Sequence, residues 1–245
     1  MTLLLLCCLS FFSDSSPNVS FGDEAFARID YPAAIAAYEE QLRSHPDETN
    51  LLWRLARVYV CSGEVKENGE GEPFFEKAEA YARRCIRLDS TREEAHTWLA
   101  ATLGYRALNA GIQDQVALTN ELHAEIDKAL ELNPNDDAAY SIRGSFYRAL
   151  GNVSWVQRQL AAVFLGHLPE GGFEEAEVAL KKAIALAPDV MRHRYELGVL
   201  YIDWDRKIEA EAVLQAAEKL PVRVAIDIPR LAKIKELLAS LRNSQ

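Results

Sequence analysis

Four stretches of this chain end in the same way, and that recurrence limits its fold more than any other property. Tyr38 to Pro46, Ala82 to Ser90, Ile126 to Pro134 and Leu180 to Pro188 each read as a helical run closed by proline or, once, by serine. Proline lacks an amide donor and disfavours helix in the residue before it, so each run must stop there. The runs share a small, large, small spacing ahead of the stop: Ala34, Tyr38, Gln41; Ala78, Ala82, Cys85; Leu122, Ile126, Ala129; Ala176, Leu180, Ala183. A fifth copy reads Ala210, Leu214, Ala217, with Pro221 one place early.

A second helix opens soon after each stop. It carries Leu52, Leu55, Ala56 and Tyr59; then Leu99, Ala100 and Leu103; then Tyr140, Arg143, Gly144 and Tyr147; then Leu197, Gly198 and Tyr201. Small residues let paired helices approach, and the large ones fill the grooves between neighbouring pairs. Together these are the two helix patterns of a tetratricopeptide repeat. They predict an all-α, tetratricopeptide-like α-solenoid of antiparallel hairpins. The units fall at about 18–46, 49–90, 93–134, 137–188 and 191–222. A cap follows at 228–242, with Leu231, Ile234, Leu238 and Leu241 on one face.

The spacing departs from the repeat consensus in the middle. Tyr201 to Ala210 is 9 positions, but Tyr59 to Ala78 and Leu103 to Leu122 are 19, and Tyr147 to Ala176 is 29. The second to fourth hairpins are therefore lengthened. Ser62 to Pro73 reads as a polar, glycine-rich loop, Gly111 to Asp114 as a turn, and Ser154 to Leu165 as added helix. Trp155 and Phe164 in that last insert are candidates for lining an apolar cavity.

Charge narrows the partners. The formal net charge is −10 and the pI about 5.1, which argues against nucleic acid. Cys7, Cys8, Cys61 and Cys85 show no metal-ligand spacing, and no cofactor or metal motif occurs. No phosphate loop, zinc-protease motif or nucleophile elbow is present, so an enzyme is not expected. Leu3 to Phe12 is too short for a transmembrane span, which needs roughly 20 residues. Its length is that of a signal-peptide core. Residues 1–17 are thus expected to be a signal peptide or a disordered N-terminus, and the chain exported to the periplasm or cell envelope. A cytoplasmic chain is the alternative. No later segment can cross a membrane.

Several stretches resemble the regulator of microtubule dynamics family. They are Leu130 to Asp136, Arg143 and Gly144, the helix with Ser154, Trp155, Arg158, Ala161 and Phe164, then Leu168 and Pro169, and the helix start Phe173 to Ala176. The resemblance implies a non-catalytic helical scaffold, with relatives linked to microtubules and one to membrane contacts and lipid binding. Arg143 stands where the family pattern carries an apolar residue, and the long N-terminal region and membrane anchor of such relatives are not found.

The repeat numbering also predicts a binding face. Residues three or four apart on each first helix share one side. That side carries Trp53, Arg57, Ser141, Ser145, Arg148, Arg192 and Tyr195. The expected function is a protein- or peptide-binding scaffold, with a lipid or other apolar ligand as the alternative. Arginine binds carboxylates bidentately, so an acidic partner is expected.

Overall fold

The computed structural model describes residues 17–67, 69–154, 157–159 and 168–243. The helices of the repeats come in pairs: α1 (Pro17–Ala27) with α2 (Tyr31–Ser44), α3 (Thr49–Gly63) with α4 (Glu72–Leu88), and α5 (Glu93–Asn109) with α6 (Ile112–Leu132). They continue as α7 (Asp137–Gly151) with α8 (Phe173–Leu186) and α9 (Met191–Asp203) with α10 (Lys207–Glu218). A last helix, α11 (Asp227–Asn243), packs on α9 and α10. Each first helix packs most extensively on its own second helix. The first helices α3, α5, α7 and α9 also touch one another in series, so they form an inner layer. The fold is an all-α solenoid of the tetratricopeptide type.

Local chemistry explains where the helices begin. Glu48 and Asp136 each lie two residues past a stop proline. Glu48 Oε1 accepts from the Asn50 amide (3.1 Å), and Asp136 Oδ1 from the Ala139 amide (3.0 Å). Each satisfies one of the free amides of a first turn.

The small residues set the approach of the paired helices. A Cβ on Gly144 would lie 2.3 Å from Leu180 Cγ, and one on Gly198 would lie 2.5 Å from Leu214 Cδ2. No real side chain tolerates such contacts, so these glycines are what lets each leucine seat against the facing helix. In the second unit Ala56 and Ala82 are both small and both fully buried.

The second hairpin differs from expectation. Ser62 and Gly63 close α3, and Pro73 lies in the first turn of α4, so the connection is residues 64–71. Ser62 Oγ donates to the Val58 carbonyl (2.7 Å), and a Cβ on Gly63 would meet the Phe75 ring at 2.7 Å. These residues serve packing rather than slack. In the third hairpin the turn shrinks to Ala110 and Gly111, and α6 reaches 21 residues. In the fourth, Trp155 and Phe164 lie outside the described residues, as does the apolar run Leu3 to Phe12. Arg158 ties the base of this hairpin. Its guanidinium donates to the carbonyls of Leu150 (2.5 Å) and Gly171 (3.1 Å).

The core falls into two groups. One runs from Ala25 to Leu150, the other from Ala176 to Leu241, and Tyr147 touches both. In α11, Ile234, Leu238 and Leu241 are buried, and Lys233, Lys235 and Arg242 are exposed. The connection into α11 crosses to the start of the chain. The Ala225 amide donates to the Tyr31 hydroxyl (2.9 Å), and Ala225 packs on the first core group. The first and last turns of the stack therefore meet.

Candidate binding face

The predicted face lies on the inner layer, and its side chains form two connected clusters. At the first, Trp53 is half-buried on α3 with the Arg54 guanidinium 4.3 Å and the Arg57 guanidinium 5.2 Å from its ring. Arg57 also stands 3.9 Å over Phe26 of α1. Asp23 of α1 holds both arginines, at 3.0 Å from Arg54 and 3.6 Å from Arg57, and accepts the Tyr38 hydroxyl at 2.6 Å.

The second cluster joins α7 to α9 and reaches across to α3 and α5. Arg148 pairs with Asp203 (2.8 Å) and Glu196 (3.6 Å) of α9, and Ser145 Oγ donates to the Ser141 carbonyl (3.1 Å). Arg192 reaches Glu64 at 3.5 Å, which also accepts the Tyr105 hydroxyl at 2.5 Å. The Glu64 side chain is only 4% exposed. Burial works against the Arg192 charge, but Tyr105, Glu64 and Glu196 around it hold its pKa above the ordinary value. Tyr195 is half-buried, and the Arg230 guanidinium from α11 stands 5.6 Å from its ring. Arg230 is in turn bonded to buried Asp227 at 2.5 Å. Arg143 turns away from this face to Asp127 on α6.

The arginines of the face thus stand beside carboxylates: Asp23, Glu64, Glu196 and Asp203. Their charge is balanced within the fold. Hydrogen bonding is less complete. Among the described residues, Trp53 Nε1, Arg57 Nε, Ser141 Oγ, Arg148 Nε, Arg192 Nε and Glu196 Oε2 are buried with no hydrogen-bond partner. Buried polar atoms are normally paired, and each orphan costs roughly 1–3 kcal/mol.

Sequence reasoning missed the partners of these residues. Glu196 was findable, since it follows Arg192 by one helical turn. Glu64 falls in the stretch that reads as a loop. Tyr31, Asp227 and Arg230 belong to the end-to-end closure, which no local pattern announces. Two of the histidines serve structure: His96 Nδ1 meets Glu125 at 2.5 Å, and His193 Nε2 meets Asp137 at 2.8 Å. Burial disfavours the charged form of His96, but Glu125 and the Ser90 carbonyl raise its pKa. Cys61 and Cys85 are buried free thiols, and burial pushes Cys85 up to about 11. None of the described helices is long and apolar enough to cross a membrane.

Comparison with known proteins agrees with this architecture. Residues 22–242 match the family described as Regulator of microtubule dynamics protein 1-3. Regulator of microtubule dynamics protein 2 of Bos taurus is 25% identical over 198 residues, covering 80% of this chain and 48% of that one. Regulator of microtubule dynamics protein 1 of Bos taurus is 28% identical over 184 residues, covering 74% and 58%. The chain spans about half the length of the curated relatives it matches first. Among solved structures, a thermophilic TPR protein of Thermus thermophilus superposes with a TM-score of 0.67 at 19% identity, covering 91% of this chain and 98% of that one.

Proposed function

The chain belongs to the regulator of microtubule dynamics protein 1-3 family, and from that premise we propose that it is a helical-repeat scaffold that binds a protein segment along its inner layer. The observation that carries this reading is the set of six polar atoms, from Trp53 Nε1 to Glu196 Oε2, buried there without hydrogen-bond partners. Unpartnered buried atoms occur elsewhere among the described residues, at Glu72, Arg92 and Arg143, but six of them gather on this face. A peptide offers both carbonyl acceptors and amide donors, which suits a face carrying both kinds of orphan. The carboxylates beside Arg57, Arg148 and Arg192 leave no surplus positive charge there, so an acidic segment gains no general attraction.

The test is selection from a random-peptide display library on the full chain. Selected peptides should lose affinity by about 1.5–3 kcal/mol for each of Arg57→Ala and Arg148→Ala, with the fold checked by circular dichroism. Failure to select any peptide, or selected peptides indifferent to both changes, rejects the reading. The relatives' names point to microtubule dynamics. Co-sedimentation of the purified chain with microtubules tests whether this portion is sufficient for such binding. An apolar-ligand reading would rest on Trp155 and Phe164, and no observation of the described residues favours it.

A further inference from the structure

His96 stands with both ring nitrogens against acceptors. It lies on α5, and its side chain is 7% exposed. Nε2 is 3.1 Å from the Ser90 carbonyl in the connection from α4, and Nδ1 is 2.5 Å from Glu125 Oε2 on α6. A carbonyl only accepts, so Nε2 carries a hydrogen. In a neutral imidazole Nδ1 is then a bare acceptor, and it would meet the carboxylate lone pair to lone pair. A second hydrogen, between Nδ1 and Oε2, turns that contact into a charge-assisted bond. The arrangement fits an imidazolium and does not fit a neutral ring beside an ionised carboxylate.

The surroundings agree. Burial opposes the extra proton, but Glu125 and the Ser90 carbonyl favour it more than burial and Lys128 of α6 oppose it, so the pKa lies above its ordinary value. The neighbouring elements commit their own charges elsewhere. On α4, Arg83 is bonded to Glu121, one turn before Glu125 (2.6 Å). In the connection, Arg92 stands 3.9 Å from Asp89 and donates to Thr49 of α3 (3.5 Å). At the start of α7, Asp136 accepts from Thr97, the residue after His96 (2.5 Å). Glu125 is therefore the carboxylate that His96 itself meets.

We infer that His96 and Glu125 form a proton-dependent clasp at the base of the third hairpin. With the proton in place, one imidazolium ties together three pieces of chain: the connection from α4, α5 itself and the last two turns of α6. Without it, the Nδ1 contact becomes a repulsion, and the end of α6 is held less firmly against α5. The sign follows from the raised folded-state pKa. The clasp is complete below the ordinary imidazole value of about 6.5 and weakens as pH rises through the folded value. It lies one connection before α7, which carries Ser141, Ser145 and Arg148 of the predicted face. The inference stands independently of what that face binds.

The test is a pH titration of the histidine ring nitrogens in the full chain by nitrogen-15 NMR. At neutral pH His96 should carry hydrogen on both ring nitrogens, with a midpoint above about 6.5. In Glu125→Gln the side-chain amide can donate to a neutral Nδ1, so the midpoint should move below about 6.5, the direction in which burial acts. Urea denaturation supplies a second readout. The stability of the parent relative to Glu125→Gln should fall as pH rises from about 6 to about 9. Amide exchange at 125–132 should accelerate over that range by more than exchange in α10 does. A single ring proton on His96 at neutral pH, an unchanged midpoint in Glu125→Gln, or a stability difference independent of pH overturns the inference. The ring protonation is read on the parent chain, so it decides the matter even if the variant does not fold.

Discussion

Glu177 on the outer layer and Glu196 on the inner one are made of the same parts and end differently. Glu177 accepts from the Tyr201 hydroxyl (2.6 Å), Lys181 (2.7 Å) and Arg206 (2.9 Å), so both its oxygens are used. Although burial opposes its charge, those bonds pull its pKa down to about 2. Glu196 stands 3.6 Å from Arg148, yet its Oε2 makes no hydrogen bond among the described residues. The contrast extends beyond the pair. Arg83 donates Nε to Glu79 (2.7 Å) and both terminal nitrogens to Glu121 (2.6 and 3.0 Å), while Arg57, Arg148 and Arg192 each leave Nε unused. The outer groups at Glu177 and Arg83 complete one another across successive helices, whereas Glu196, Arg57, Arg148 and Arg192 inside do not. The contrast is one of degree, since Glu72 Oε2 and Arg143 Nε off the inner face are also unpartnered among the described residues.

Mutation can break this contrast, and the largest effect is expected at the buried bridge that crosses the inner layer. Glu64→Ala leaves the Arg192 charge buried without its carboxylate and should lower stability by about 3 kcal/mol in urea denaturation. A loss no greater than that of an exposed pair would mean that the bridge across the inner layer holds little. Next comes the outer layer. Arg83→Met should cost about 2 kcal/mol by the same measurement, discounted for its partial exposure, and leave peptide binding unchanged. A change in peptide affinity would show that the two layers are not separable.

The third prediction is a pH dependence. The Glu177 pKa is depressed in the folded chain, so its contribution is present above the ordinary carboxylate value and disappears as pH falls through about 2. The stability deficit of Glu177→Gln relative to the parent should therefore be full at neutral pH and shrink steadily below about pH 4.5. A deficit independent of pH would assign the loss to packing instead. The smallest effect is expected at Ser141, which is fully buried with a hydroxyl that has no partner among the described residues. Ser141→Ala should change stability by less than about 0.5 kcal/mol, or raise it slightly, because no bond is lost and an orphan is removed. A large destabilisation would reveal a partner for Ser141 and weaken the case that this layer is unfinished.

The helix pairs were legible because they are written at short range. The stop at Pro134 and the cap at Asp136 lie two residues apart, and the seat of Leu180 against Gly144 recurs as Leu214 against Gly198. The membership of the inner layer was legible for the same reason, since Arg148 and Arg192 stand at fixed places in their repeats. What those residues touch was not. Arg192 meets Glu64, 128 residues earlier, and Tyr31 meets Ala225, 194 residues later. Such contacts depend on the accumulated rotation from unit to unit, and lengthening the middle hairpins alters that rotation in ways that side-chain periodicity does not record. Gly63 and Gly71 misled for a related reason. Their value lies in admitting Phe75, which is visible only once α3 and α4 are placed.

The bond from Tyr31 to Ala225 also alters the mechanics of the molecule. In an open stack each unit touches only its neighbours, so small tilts between hairpins add along the length and the whole behaves as a soft spring. Fastening the first turn to the last makes those tilts sum to nothing around a loop, and the long, low-energy flexing of a spring is removed. A load applied at α11 then passes directly to α2 instead of being shared through every hairpin between them. Together with the Arg192–Glu64 bridge, that contact makes the stack stiffer than an open one.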